Sequence, residues 1–155
     1  MKLQQPPTTD EDDTRRAVAA VIETHRMGFL HLDPERLASV WDRDHEPLVY
    51  VAQEKDEPMH GWAAIQRYLA ALPEHLEEVS VKDLDDLRID LLGDAAIAFF
   101  TSRSSVKLKG RSTKYEPVGH VSMMLRRTSE GWRVIHFHES ARSAQSVQLM
   151  QGMHE

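Results

Sequence analysis

From Glu77 to Ser140 the chain runs through four β-patterned segments joined by short turns, and this run limits the possible folds more than any other feature. "EEVSVKDLDDLRIDLLGD" is one long strand, or two with a bulge, turning at Gly93-Asp94. "AAIAFFTSRSSVKLKG" is a second long strand, and "TKYEPVGHVSMMLRRT" a third, with Pro117 near its start. "SEG" then turns the chain into "WRVIHFHES". Alternation bounded by turn residues is the strand signal. Four such strands in succession predict a meander. Apolar residues fall on both faces, as in "VSMML" and "AIAFF", which a sheet with one solvated face would not show.

Helical patterns come first in the chain. Ala17, Val18, Val21, Ile22, His25, Phe29 and Leu32 recur at helical spacing, predicting a helix over Thr14–Leu32. Asp10, Asp12 and Asp13 lie ahead of it and favour the positive end of a helix dipole. Asp33-Pro34 reads as an N-cap followed by proline at the first helical position, so "DPERLASVW" is a short second helix ending near Trp41. "PLVYVAQ" is a strand, and Met59 returns beside it after the turn "EKDEP". Gly61 leads a third helix, "WAAIQRYLAAL", with Trp62, Ile65, Leu69 and Leu72 on one face and Pro73 as its expected end. Helices gathered on one face of an antiparallel sheet predict an α+β domain.

The 155 residues, 41% of them hydrophobic, suffice for one core. The expected organisation is a flexible lead-in over residues 1–13, a domain over 14–140 and a tail over 141–155. A net charge of -6 gives no electrostatic ground for binding nucleic acid or anionic lipid. No apolar run approaches the roughly 18 residues that span a bilayer. "MKLQQPPTTDEDD" lacks the apolar stretch of a secretory signal, so the expected location is the cytoplasm. The absence of cysteine excludes disulfides, thiolate ligands and cysteine nucleophiles.

Nine histidines ask for an account. On the closing strand, strict alternation puts Trp132, Val134, His136 and His138 on one face and Arg133, Ile135, Phe137 and Glu139 on the other. His120 lies on the neighbouring strand. One hairpin register sets it opposite His138, and a shift of one residue sets it opposite Glu139. Three converging imidazoles would suit Zn²⁺. The dimer-face reading, with the histidines hydrogen-bonded to strand or partner groups, outweighs it, and no metal or cofactor is assigned. Acid, base or ligand-donor duty is the third reading. His25 lies on the apolar stripe of the first helix, and His31, His45, His60, His75 and His154 read as structural or exposed.

Three pieces carry a family resemblance: "LASVWDRDHEPLVYVAQ", "HGWAAIQRYLAAL" and "GWRVIHFHES". Over about residues 14 to 140 the chain resembles the SnoaL-like branch of the nuclear transport factor 2-like superfamily. The closing strand is also similar to that of the calcium/calmodulin-dependent kinase II association domain. The resemblance implies a cone, in which a curved sheet wraps three helices, encloses an apolar cavity and pairs with a second subunit through its other face. It also implies a small-molecule ligand and a homodimer or higher homo-oligomer. Where the association domain has an arginine in a pocket for small carboxylates, this chain has Glu139, which favours a cationic or hydroxylated ligand.

The implied chemistry is that of an acid/base isomerase, cyclase or hydratase, with His120, His138 and Glu139 as candidate catalytic residues. Candidate ligand contacts are Tyr50, Trp62, Thr101, Arg103, Tyr115, Met123 and His136. The strand "PLVYVA" has no aspartate, which argues against steroid isomerase chemistry as such. One alternative is a non-enzymatic association module. Another is activity like that of the metal-free carbonic anhydrases of this fold, with Thr101, Tyr115, His138 and Ser140 as counterparts. Fold alone decides none of these.

Overall fold

A computed structural model describes residues 9–141. The lead-in before residue 9, and the tail after residue 141 with His154, lie outside the described residues. The first helix, α1, spans Asp10–Leu30 and starts earlier than the apolar spacing predicts. Thr9 caps it, its side chain accepting from the Asp12 amide at 3.2 Å, and Asp10–Asp13 fill the positive first turn. The short α2, Pro34–Ser39, is capped by Asp33, which accepts from the Arg36 amide at 3.1 Å.

Strands β1 (Val49–Val51) and β2 (Met59–His60) form the small hairpin. Helix α3, Trp62–His75, opens at Gly61, whose φ of 81° suits a residue without a Cβ. Pro73 lies inside this helix rather than ending it. In the last turn a missing amide removes one bond without blocking the remaining residues, and the ladder closes with the Leu76 amide on the Leu72 carbonyl.

The remaining strands are β3 (Leu76–Leu92), β4 (Ala95–Leu108), β5 (Lys114–Tyr115), β6 (Val118–Thr128) and β7 (Gly131–Ala141). Pro117 falls between β5 and β6, where it splits the expected third strand. The sheet order is β2-β1-β7-β6-β4-β3, with β5 paired to β4. The meander is antiparallel, as expected, but β1 joins β7 in parallel, so the sheet is mixed. The α+β cone is therefore the architecture of this chain. No helix among the described residues is long and apolar enough to cross a membrane.

A β-bulge sets the phase of β7. Met124 pairs with His136 and Leu125 with Val134, which leaves Ile135 as the extra residue. Trp132 and Val134 are buried before it, and Phe137 is buried after it. The strict alternation expected for this strand fails here, because the bulge reverses phase midway. Phe137 and Glu139 join the inner face, while His136 and His138 turn outward. The core under this face holds Val18 and Ile22 of α1, Ile65 and Leu69 of α3, Tyr50, Phe100, Val121, Met123 and Leu125.

Candidate functional site

Between α1, α3 and the inner face of the sheet lies a recess of about 1130 Å³. Its apolar lining comes from every layer: Phe29 of α1, Leu72 of α3, Val79 of β3, Val106 of β4 and Phe137 of β7. Exposed residues of the β1–β2 turn, Glu54 to Pro58, form part of its rim.

Polar side chains interrupt this lining, and β3, β4 and β7 bring Lys82, Ser104 and Glu139 to it, with Ser102 beside the lysine. Lys82 on β3 pairs with Ser104, and Leu84 beside it pairs with Ser102, so both serines point inward with the lysine. The Lys82 ammonium donates to Ser102 Oγ at 2.8 Å and to Ser104 Oγ at 3.3 Å. It also stands 5.0 Å from the centre of the Phe29 ring, a favourable cation–π distance. Glu139 lines the same recess from β7, where the Ser102 hydroxyl lies near enough to ease the ionisation of its carboxyl. No carboxylate of the described residues lies within 4.0 Å of the lysine nitrogen.

Burial dominates the titration of both groups. It pushes the Glu139 carboxyl above the usual carboxylate range, and the Lys82 charge only partly offsets this. It holds the Lys82 amine below its ordinary value, against the pull of Glu139 and then Glu54. Both shifts favour the neutral forms, as desolvation requires. His25, 2% exposed, packs between the rings of Phe29 and Phe137 at centroid distances of 5.1 and 5.3 Å. Burial, and secondarily the Lys82 charge, lower its pKa to about 3.

A second polar chain enters from β1 and α3. Tyr50, stacked on Phe137 with centroids 4.5 Å apart, also meets Tyr68 at 5.1 Å. The Tyr68 hydroxyl donates to the Glu54 carboxylate. Burial holds both phenols protonated. Glu139 and Glu54 add to this at Tyr50, and Tyr50 and Glu54 add to it at Tyr68.

Of the candidates read from the sequence, Glu139 and Tyr50 line the recess. Met123 is buried in the core, and Trp62 packs at its edge under the Arg43 guanidinium, 5.0 Å from the ring centre. Thr101, Arg103, His120, His136 and His138 lie on the opposite face of the sheet. There His120 is paired with Thr101 and Ser140, its Nδ1 3.3 Å from Thr101 Oγ1, so neither register weighed for it occurs. Arg103 is bound to Asp85 at 2.7 Å, and the Tyr115 hydroxyl accepts from Arg111 at 3.3 Å. Among the described residues no three His, Asp or Glu side chains are grouped to hold a metal ion.

Lys82, Ser102, Ser104 and Glu54 were missed by the sequence reading. One signal was present: Ala96, Ala98 and Phe100 set the inward phase of β4, and that phase runs on to Ser102 and Ser104. Inward-facing serines after an apolar run mark a polar end to a core.

Comparison with known proteins agrees with this architecture. Residues 18–143 match the model of the SnoaL-like domain, and the chain belongs to that family. No curated protein matches it. A nuclear transport factor 2-like superfamily protein from Salmonella enterica serovar Typhimurium is 17% identical, covering 86% of this chain and 94% of its own, with a TM-score of 0.76. A protein from Xanthomonas campestris, assigned as a calcium/calmodulin-dependent protein kinase II association domain, is 17% identical, with coverage of 93% and 99% and a TM-score of 0.71. A type 2 hexachlorocyclohexane dehydrochlorinase is 16% identical, with coverage of 86% and 88% and a TM-score of 0.73. At such identities the likeness is one of fold.

Proposed function

We propose that the recess is a small-molecule site for acid/base chemistry of the isomerase, cyclase or hydratase kind, with Glu139 moving the proton. The observation that carries this is the position of Glu139: a carboxyl in an apolar recess, with its pKa raised and a lysine and a serine beside it. A raised carboxyl accepts a proton and returns it near neutral pH better than an exposed one. The neutral phenol of Tyr50, which lines the recess, supplies a hydroxyl donor for an oxygen that gains charge. Dehydration and elimination share this pattern of proton removal, and the dehydrochlorinase of the same fold performs an elimination by its name.

The test uses 2-tetralone, an apolar ketone with acidic C–H bonds, in deuterated buffer. Wild-type protein is expected to speed deuterium uptake, and Glu139→Gln to lose about 10²- to 10⁴-fold of that acceleration. Equal rates for the two proteins would end the assignment of Glu139.

The outer face supports a homodimer. Phe99 is 41% exposed, Leu92 52% and Val118 37% on one face of the sheet, beside the half-buried Ile97 and Met124. Exposed large apolar side chains on one sheet face suit self-association. Light scattering at micromolar concentration tests it, and a monomer at every concentration would refute it.

A further inference from the structure

We propose that Lys82 is a nucleophilic amine that forms an imine with aldehydes or unhindered ketones carrying an apolar body. The inference rests on the reading of the recess as a small-molecule site and gives that site its substrate class.

Three features of the geometry support it. First, the amine is not held in an ion pair. Its partners are two neutral serine hydroxyls at 2.8 and 3.3 Å, and no carboxylate of the described residues approaches within 4.0 Å. A desolvated ammonium among neutral acceptors is poorly compensated and readily gives up its proton. The lowered pKa of Lys82 agrees with this. Second, Lys82 lines the recess and keeps part of its surface, so a ligand that enters meets its side chain. Third, a proton donor stands in the same recess, since Glu139 of β7 lines it together with Lys82.

The step balances with these groups alone. The free amine of Lys82 attacks the carbonyl carbon, a C–N bond forms, and one nitrogen proton passes to the oxygen to give a carbinolamine. Glu139 protonates that hydroxyl, which leaves as water while the nitrogen lone pair closes the C=N bond. The remaining nitrogen proton returns to the Glu139 carboxylate. No oxidant or reductant takes part. Phe29, Val79, Val106 and Phe137 surround the reacting group, so the body of the ligand is apolar.

The test is reductive trapping. The full chain is incubated at pH 7 with 3-phenylpropanal and cyanoborohydride, which delivers hydride to any imine, and is then peptide-mapped. The chain has five other lysines, Lys2, Lys55, Lys107, Lys109 and Lys114, as internal controls. Lys82 is expected to gain the mass of the aldehyde less one oxygen about tenfold faster than any of them. Labelling spread over the lysines in order of exposure would overturn the proposal, and it needs no variant to be seen. Glu139→Gln separates the two readings. If Lys82 is still trapped at the wild-type rate, the imine stands and Glu139 loses its place as proton donor. If trapping slows, both hold.

Discussion

Gly119 leaves open the space that the Glu139 side chain occupies. A Cβ built on Gly119 would lie 2.8 Å from Glu139 Cγ and 3.0 Å from its Cδ. Gly119 sits on β6 across from Ala141, two pairs along from Val121 and Glu139 and on the same face. The closest atom is the middle of the glutamate side chain rather than its tip, so the carboxyl cannot stay in place if the glycine acquires a methyl group.

Gly119→Ala is therefore expected to destabilise the fold by roughly 1–3 kcal/mol through overpacking. Glu139→Ala removes the obstructing atoms, and in that background the same substitution should cost far less. A double-mutant cycle by urea denaturation measures the coupling. Additive costs would show that the two residues do not compete for this space.

His25 predicts an acid-sensitive fold. Its folded pKa, about 3, lies below the ordinary histidine value of 6.5. Above pH 6.5 the imidazole is neutral in both states and contributes no pH dependence. As pH falls below 6.5 the unfolded chain takes a proton that the folded chain refuses. Stability is then lost at up to about 1.4 kcal/mol per pH unit until the folded pKa is reached. Glu139 opposes this near its own range, since its raised pKa makes the fold the better proton acceptor there. His25→Phe fits between the same two rings and should flatten the slope between pH 6 and pH 5 in chemical denaturation. An unchanged slope would place the acid sensitivity elsewhere.

Tyr50 and Tyr68 are both held protonated by burial. In an alkaline absorbance titration neither should ionise before the fold opens. With Tyr68→Phe, the tyrosinate signal withheld until unfolding should fall by about half, one buried phenol remaining of two. The lost hydrogen bond to Glu54 should cost about 1 kcal/mol. Ionisation of both phenols in the folded protein would contradict the packing around them.

Phe99 tests the outer face without touching the recess. Its ring stacks on His120 with centroids 6.0 Å apart and is 41% exposed. Phe99→Asp is expected to shift the protein from dimer to monomer in light scattering, with deuterium uptake in the recess changed little. A dimer that survives the charge would move the interface off this face.

The strands and helices were legible because their signals are local. The alternation of "AIAFF", the proline after Asp33 and the glycine before Trp62 each act within a few residues. The recess was legible only in part. Glu139 is legible through the family resemblance, which sets it in the pocket, whereas Lys82 lies in a polar stretch that reads as solvent-facing. What makes Lys82 an interior residue is its pairing with Ser104, and that pairing depends on the register shift between Asp85 and Arg88 on β3. Register between strands some twenty residues apart leaves no mark in either strand by itself. The histidines of β7 were misassigned to the Trp132 face for a related reason: a bulge is a property of two strands together.

The bulge at Ile135 makes strand length a chemical variable. The segment before it packs Trp132 and Val134, and the segment after it presents Phe137 and Glu139, in opposite phase. One codon inserted beyond Ile135 would carry His136 and His138 inside and Glu139 out, with every existing side chain retained. The interior would exchange a carboxyl for two imidazoles without a single substitution. In this architecture an insertion can change the reagent, while the half of the strand that anchors the core keeps its place.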